Sequence, residues 1–142
     1  MKKLFADTSY WVAIVNPKDE LHERAQLVSR THSPFFTVTS EMILTELLNL
    51  FAEKGKTLRN AAALVVQNIK SNPNCEVVPQ TSLQFRKALE RYSDRPDKGW
   101  SITDCASFLI MEEKGIEKAL TYDQHFFQAG FGALLRDSPN VS

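Results

Sequence analysis

Short runs rich in apolar, β-branched and aromatic residues alternate with longer stretches of helical periodicity along almost the whole chain. No other feature narrows the fold so far. Lys3–Ala6 is the first run and stops at Asp7. Thr8–Val15 is dense in apolar residues and reads as helix, closed at Asn16-Pro17 because proline disfavours helix in the residue before it. Glu20–Thr31 sets Leu21, Ala25 and Val28 three or four apart between charges, the pattern of an amphipathic helix. Phe35–Val38 is a second strand. Ser40 starts a long helix over Glu41–Lys54, with Gly55 as its C-cap, and Thr57–Lys70 is another helix. Cys75–Val78 is a third strand, Gln80–Tyr92 a charged helix, Ser93–Gly99 a polar loop, and Ser101–Lys114 a helix stopped by Gly115. A strand lies within Ile116–Tyr122, a short helical piece begins at Asp123, and Gly132–Arg136 is a last strand. Strands joined through helices predict an α/β fold, a short parallel sheet covered on both faces.

The chain has 142 residues, the length of one domain over 1–142, and 43% of them are apolar, enough for a real core. Its formal net charge is zero, which excludes a strongly basic, histone-like nucleic-acid binder but not a nuclease with an acidic site. Two cysteines, Cys75 and Cys105, form no CxxC pattern, so neither a disulfide framework nor a zinc site is expected. The MKK start imitates a signal peptide, but Asp7, Thr8 and Ser9 break the apolar region too early. No apolar run approaches the length that spans a bilayer. A cytoplasmic, soluble protein without membrane contact is expected.

The strands give the acids their context. In open α/β sheets ligands bind beyond the carboxyl ends of the strands, and both Asp7 and Asp123 directly follow a strand. On a helical wheel Glu46 falls between Met42 and Leu50, on the apolar face, where a carboxylate is costly unless paired or metal-bound. Asp104 lies in the first turn of its helix. Singly, each acid has a plain structural role. Asp7 and Asp123 fit N-caps, Ser101-Ile102-Thr103-Asp104 fits a capping box, and Glu46 is open to pairing with a basic residue. Together they would require four coincidences at one edge. Converging carboxylates repel, so such a cluster either raises its own pKa values or holds a cation. The three histidines, His22, His32 and His125, stand at no ligand spacing and read as surface or packing residues, although His125, two residues after Asp123, is open to touching substrate. An all-oxygen donor set selects Mg²⁺ or Mn²⁺ over zinc.

DTSYW at Asp7, TSEMILTELLN around Glu46, DKGWSITDCAS ending past Asp104, and LTYDQHFFQAGF at Asp123 together resemble the PIN-domain ribonucleases, most of all the toxins of VapBC toxin–antitoxin pairs. The resemblance implies a PIN-like α/β/α sandwich and Mg²⁺- or Mn²⁺-dependent endonucleolytic cleavage of RNA by an activated water, leaving a 5′-phosphate and a 3′-hydroxyl. It implies that Asp7, Glu46, Asp104 and Asp123 are the catalytic and metal-holding acids. Thr8 or Ser9 matches the hydroxyl position beside the first acid. It further implies a homodimer and an antitoxin segment that covers the site with an arginine aimed at the carboxylates.

RNA requires positive charge near an acidic site. Arg86, Lys87, Arg91, Arg95 and Lys98 offer it along one helix and the following loop, although such residues are ordinarily only solvated. Thr8, Ser9, Arg95, Lys98 and Ser101 are the candidate substrate contacts. Trp11 and Trp100 read as core before base-stacking platforms. The apolar helices over Glu41–Lys70 offer core and, beyond it, a groove for a partner helix or second copy. Competing readings are an RNA-processing nuclease without a toxin role, an inactive PIN-like scaffold, and a haloacid-dehalogenase-type hydrolase. The last expects an aspartate two residues after the first, where Ser9 stands.

Overall fold

The computed structural model describes residues 1–137. Residues 138–142 of the domain expected over 1–142 lie outside the described residues. Five strands, β1 (Lys2–Ala6), β2 (Phe35–Ser40), β3 (Cys75–Val78), β4 (Lys118–Leu120) and β5 (Gly132–Ala133), alternate with helices α1 (Thr8–Val15), α2 (His22–His32), α3 (Glu41–Phe51), α4 (Lys56–Ser71), α5 (Ser82–Asp94), α6 (Ile102–Lys114) and α7 (Gln124–Gln128). The strands form one sheet in the order β3-β2-β1-β4-β5. Every pairing is parallel, as the alternation predicts.

The strand order decides where a site can form. From β1 the chain steps outward through β2 to β3, and α1 packs on α2, α3 and α4. It then crosses back past β1 through α5 and α6, which pack on each other. Right-handed crossovers running in opposite directions lie on opposite faces of the sheet. The reversal falls between β1 and β4, the switch point at which α/β sheets open a crevice. Phe5, Phe108 and Phe126 are fully buried beside it. Phe108 meets Phe126 edge-on at a centroid distance of 5.0 Å and Trp100 at 5.1 Å. Trp11 is also buried, and its Nε1 donates to Thr39 Oγ1. Both tryptophans are therefore core residues.

Several element boundaries differ from expectation: α2 begins at His22, two residues late, and β2 runs on to Ser40, two residues past Val38. α3 ends at Phe51, and Gly55 is not its C-cap. With φ +92° Gly55 is instead the N-cap of α4, and its carbonyl accepts the Arg59 N–H at 3.0 Å. The interhelix turn is so short that the one left-handed position serves the entry of the second helix. α5 begins two residues late, where the Thr81 side chain accepts the Gln84 N–H, and runs on to Asp94. β5 stops at Ala133, after which the backbone turns and Arg136 donates back to the Ala133 carbonyl.

Candidate metal centre

Asp7 follows β1 directly and stands at the N-cap position of α1 in extended conformation, yet its side chain caps nothing. Its Oδ2 accepts hydrogen bonds from Thr121 Oγ1 at 2.8 Å and Ser9 Oγ at 3.3 Å. Only 6% of the residue is exposed. Burial pushes its carboxyl from 3.8 up to about 7, the Thr121 hydroxyl and the Thr8 backbone hold it lower than burial alone would, and the charges of Asp104 and Asp123 raise it further. At neutral pH this is a carboxylate poised to exchange its proton for another positive charge.

Asp104 does two jobs at once. It is the third residue of α6 and closes a capping box, accepting the Ser101 N–H on Oδ2 at 3.0 Å while Ser101 Oγ accepts the Asp104 N–H at 3.0 Å. The box fixes its rotamer, and the same Oδ2 lies 2.9 Å from His125 Nδ1. Burial raises its pKa as well. Capping and site chemistry are thus not alternatives here.

Asp123 caps α7, accepting the His125 N–H at 2.9 Å. A helix of five residues has no stability of its own. Phe126, packed on Phe108 and Phe5, anchors it. Thr121 is the hub beneath. Fully buried, it donates to Asp7 and accepts the Asp123 N–H at 3.0 Å, which ties the ends of β1 and β4 together.

Glu46 is at the border of the core rather than inside it. In the row Met42–Glu46–Leu50, Met42 is buried but Leu50 is 50% exposed on the cleft wall, so the expected apolar face opens halfway along. Thr8 Oγ1 donates to Glu46 Oε1 at 2.6 Å, which answers where this carboxylate finds its partner.

All four acids, with Thr8, Ser9 and Ser101, line one cleft of about 490 Å³. The tight group within it differs from the expected set. Ligand atoms of Asp104, Asp123 and His125 lie within 4.8 Å of one another, while Asp7 and Glu46 stand outside that group. The reading of His125 as a surface or packing residue is corrected, because its Nδ1 is 3.3 Å from Asp123 Oδ1 as well as close to Asp104. The signal was the two-residue spacing from Asp123, because an N-cap carboxylate folds back onto the N–H of the residue two positions on. Asp19, a fifth acid missed in the sequence, is also on the cleft wall, its Oδ2 held by the Leu21 N–H at 3.0 Å. Thr121 was missed too, and its only trace is a hydroxyl residue within an otherwise apolar strand end.

Arg95 and Lys98 do not reach the acids. They line a neighbouring hollow of about 500 Å³ that meets the cleft at Gly99 and Ser101. Arg95 pairs with Asp97 at 3.0 Å and lies over the Trp100 ring at 5.2 Å. Arg91 and Lys87 of α5 pair with Glu112 and Glu113 of α6, so much of the basic row is neutralised by the helix packed against it. Among the described residues no lysine or arginine pairs with any of the four acids. Uncompensated carboxylates with an imidazole among them are a fitting donor set for a divalent cation.

The family model described as "PIN domain" matches residues 4–132. The chain is 29% identical over 128 residues to the 23S rRNA-specific endonuclease VapC20 of Mycobacterium tuberculosis, in strains CDC 1551 / Oshkosh and ATCC 25618 / H37Rv, covering 90% of this chain and 95% of the relative. It is similar to the crystal structure of M. tuberculosis VapC20, titled a sarcin–ricin loop cleaving toxin, with TM-score 0.80 and 28% identity, covering 90% of this chain and 95% of that one. Fold and sequence agree, and the chain belongs to the PIN-domain family.

Proposed function

We propose that this protein is a divalent-metal-dependent endoribonuclease of the VapC type, the toxin of a toxin–antitoxin pair. The observation that carries this reading is the convergence of Asp7, Glu46, Asp104 and Asp123 on one cleft at the sheet's switch point, with no lysine or arginine paired to them among the described residues. Asp7, Asp104 and Asp123 are the residues that would hold Mg²⁺ or Mn²⁺. When bound, such an ion supplies Lewis acidity, orienting the phosphate, lowering the pKa of a water and stabilising the leaving oxygen.

The chain's own residues do the rest. Asp7, kept dry beneath the cleft, contributes its charge once its proton leaves. Thr121 and Ser9 hold that carboxylate in one orientation. The capping box holds Asp104. Glu46, outside the tight group and fixed by Thr8, orients the attacking water. Lys98 and Arg95, in the hollow that meets the cleft, contact the phosphates of the flanking strand. Water attack on phosphorus leaves a 5′-phosphate and a 3′-hydroxyl. A homodimer, an antitoxin segment over the cleft and a cytoplasmic location complete the reading. The exposed Leu48, Leu50 and Leu64 on α3 and α4 are the surface such a partner would cover.

The relatives' names make 23S rRNA, and its sarcin–ricin loop, the first substrate to try. Purified protein is incubated with ribosomes and with total RNA in Mn²⁺ or Mg²⁺, against EDTA and against Asp7→Asn. Metal-dependent cutting that Asp7→Asn abolishes, with 5′-phosphate ends, supports the proposal. A 2′,3′-cyclic product would overturn the mechanism.

A further inference from the structure

Resting on that reading, we infer that His125 is itself a ligand of the ion, through Nδ1, and that the centre therefore prefers first-row transition-metal cations to Mg²⁺. The ring nitrogen lies 2.9 Å from Asp104 Oδ2 and 3.3 Å from Asp123 Oδ1. In an octahedral site with metal–ligand bonds of about 2.1 Å, adjacent ligand atoms are about 3.0 Å apart. Both distances from Nδ1 are near that spacing, and the ligand atoms of the three residues lie within 4.8 Å of one another. The histidine is held there by the backbone. Its N–H is tied to Asp123 Oδ1, and the buried Phe126 that follows fixes the turn.

The far side of the ring is accounted for as well. A Cβ placed on Gly99 would meet His125 Nε2 at 3.7 Å, so Nε2 faces the turn at the mouth of the cleft and Nδ1 faces the acids. Asp104 Oδ2 accepts the Ser101 N–H and keeps a second lone pair on the side that faces Nδ1. An imidazole ligand moves preference along the series from Mg²⁺ toward Mn²⁺ and Co²⁺.

The test uses the full chain loaded with less than one equivalent of Mn²⁺. Pulsed electron paramagnetic resonance reads nitrogen coupling to the ion, with unlabelled and histidine-selective ¹⁵N protein, and calorimetry compares Mn²⁺ with Mg²⁺. His125→Asn is the variant, since its amide can replace the Nδ1–H donor but offers no ligand nitrogen. The expected result is a directly bonded ¹⁴N coupling that changes to ¹⁵N on labelling and is lost in His125→Asn. Mn²⁺ affinity should fall at least about tenfold in the variant, and Mg²⁺ affinity less. Bound Mn²⁺ without histidine nitrogen coupling, or a coupling that persists in the variant, would overturn the ligand role and leave the metal centre standing. Absence of any Mn²⁺ binding by the wild-type chain would overturn the metal-centre reading and this one together.

Discussion

Asp7 has its pKa raised from 3.8 to about 7, so the folded chain holds a proton that the unfolded chain has already lost over that interval. The state that binds more protons gains stability as pH falls. For this group that is the folded state between about pH 4 and 7, so metal-free stability should decline as pH rises through that window, by at most on the order of 4 kcal/mol. Asp7→Asn should remove this slope and raise the melting temperature at pH 7.5 in EDTA, while abolishing cleavage. A variant that melts lower than wild type under those conditions would contradict the assignment. Thr121→Val keeps the volume but deletes the hydroxyl that Asp7 accepts from and Asp123 N–H donates to. Denaturant titration should show a loss of about 1–3 kcal/mol, and calorimetry a weaker Mn²⁺ site.

Two helix caps of like chemistry separate stability from function at the scale of elements. Thr81 caps α5 and Ser101 caps α6, each accepting a backbone N–H at 3.0 Å. Replacing either with alanine should cost about 1 kcal/mol by chemical unfolding. Only Ser101→Ala should also lower cleavage and metal affinity, because Asp104 is the other half of its box. Equal activity in the two variants would separate the box from the site. Phe126→Ala should cost about 3–5 kcal/mol and release α7, and with it Asp123 and His125.

The types and order of these elements were readable from local patterning, since strand periodicity, Asn16-Pro17 and the Ser101 box act within a few residues. The exact ends of α3, α5 and β5 were not. They depend on turns whose geometry is set by what the flanking helices and strands pack against, as at Gly55.

For the whole molecule, ion binding should stabilise the fold by mass action. At about a hundred times Kd the gain is roughly 2.7 kcal/mol, or a melting-temperature rise of roughly 5–11 °C, seen with Mn²⁺ and reversed by EDTA. The hollow beside the cleft predicts a separate effect. Lys98→Ala should reduce the slope of log affinity for RNA against log salt by about one without changing Mn²⁺ affinity.

The sequence by itself determined that an α/β sheet would form and that Asp7 and Asp123 would stand at strand ends, because side-chain alternation and capping are local and each short segment carries its own signal. It also placed Glu46 on the apolar face of a helix and Asp104 in the first turn of another. Only the tertiary structure decided which of these became neighbours. Asp7 meets Thr121 across 114 positions because β4 pairs with β1 rather than extending the far edge. His125 enters the acid group because α7 turns on a buried Phe126 that packs against α6 and β1. Leu50, apolar by pattern, ends on an open cleft wall. Register, crossover direction and packing are non-local, and no window of the chain contains them.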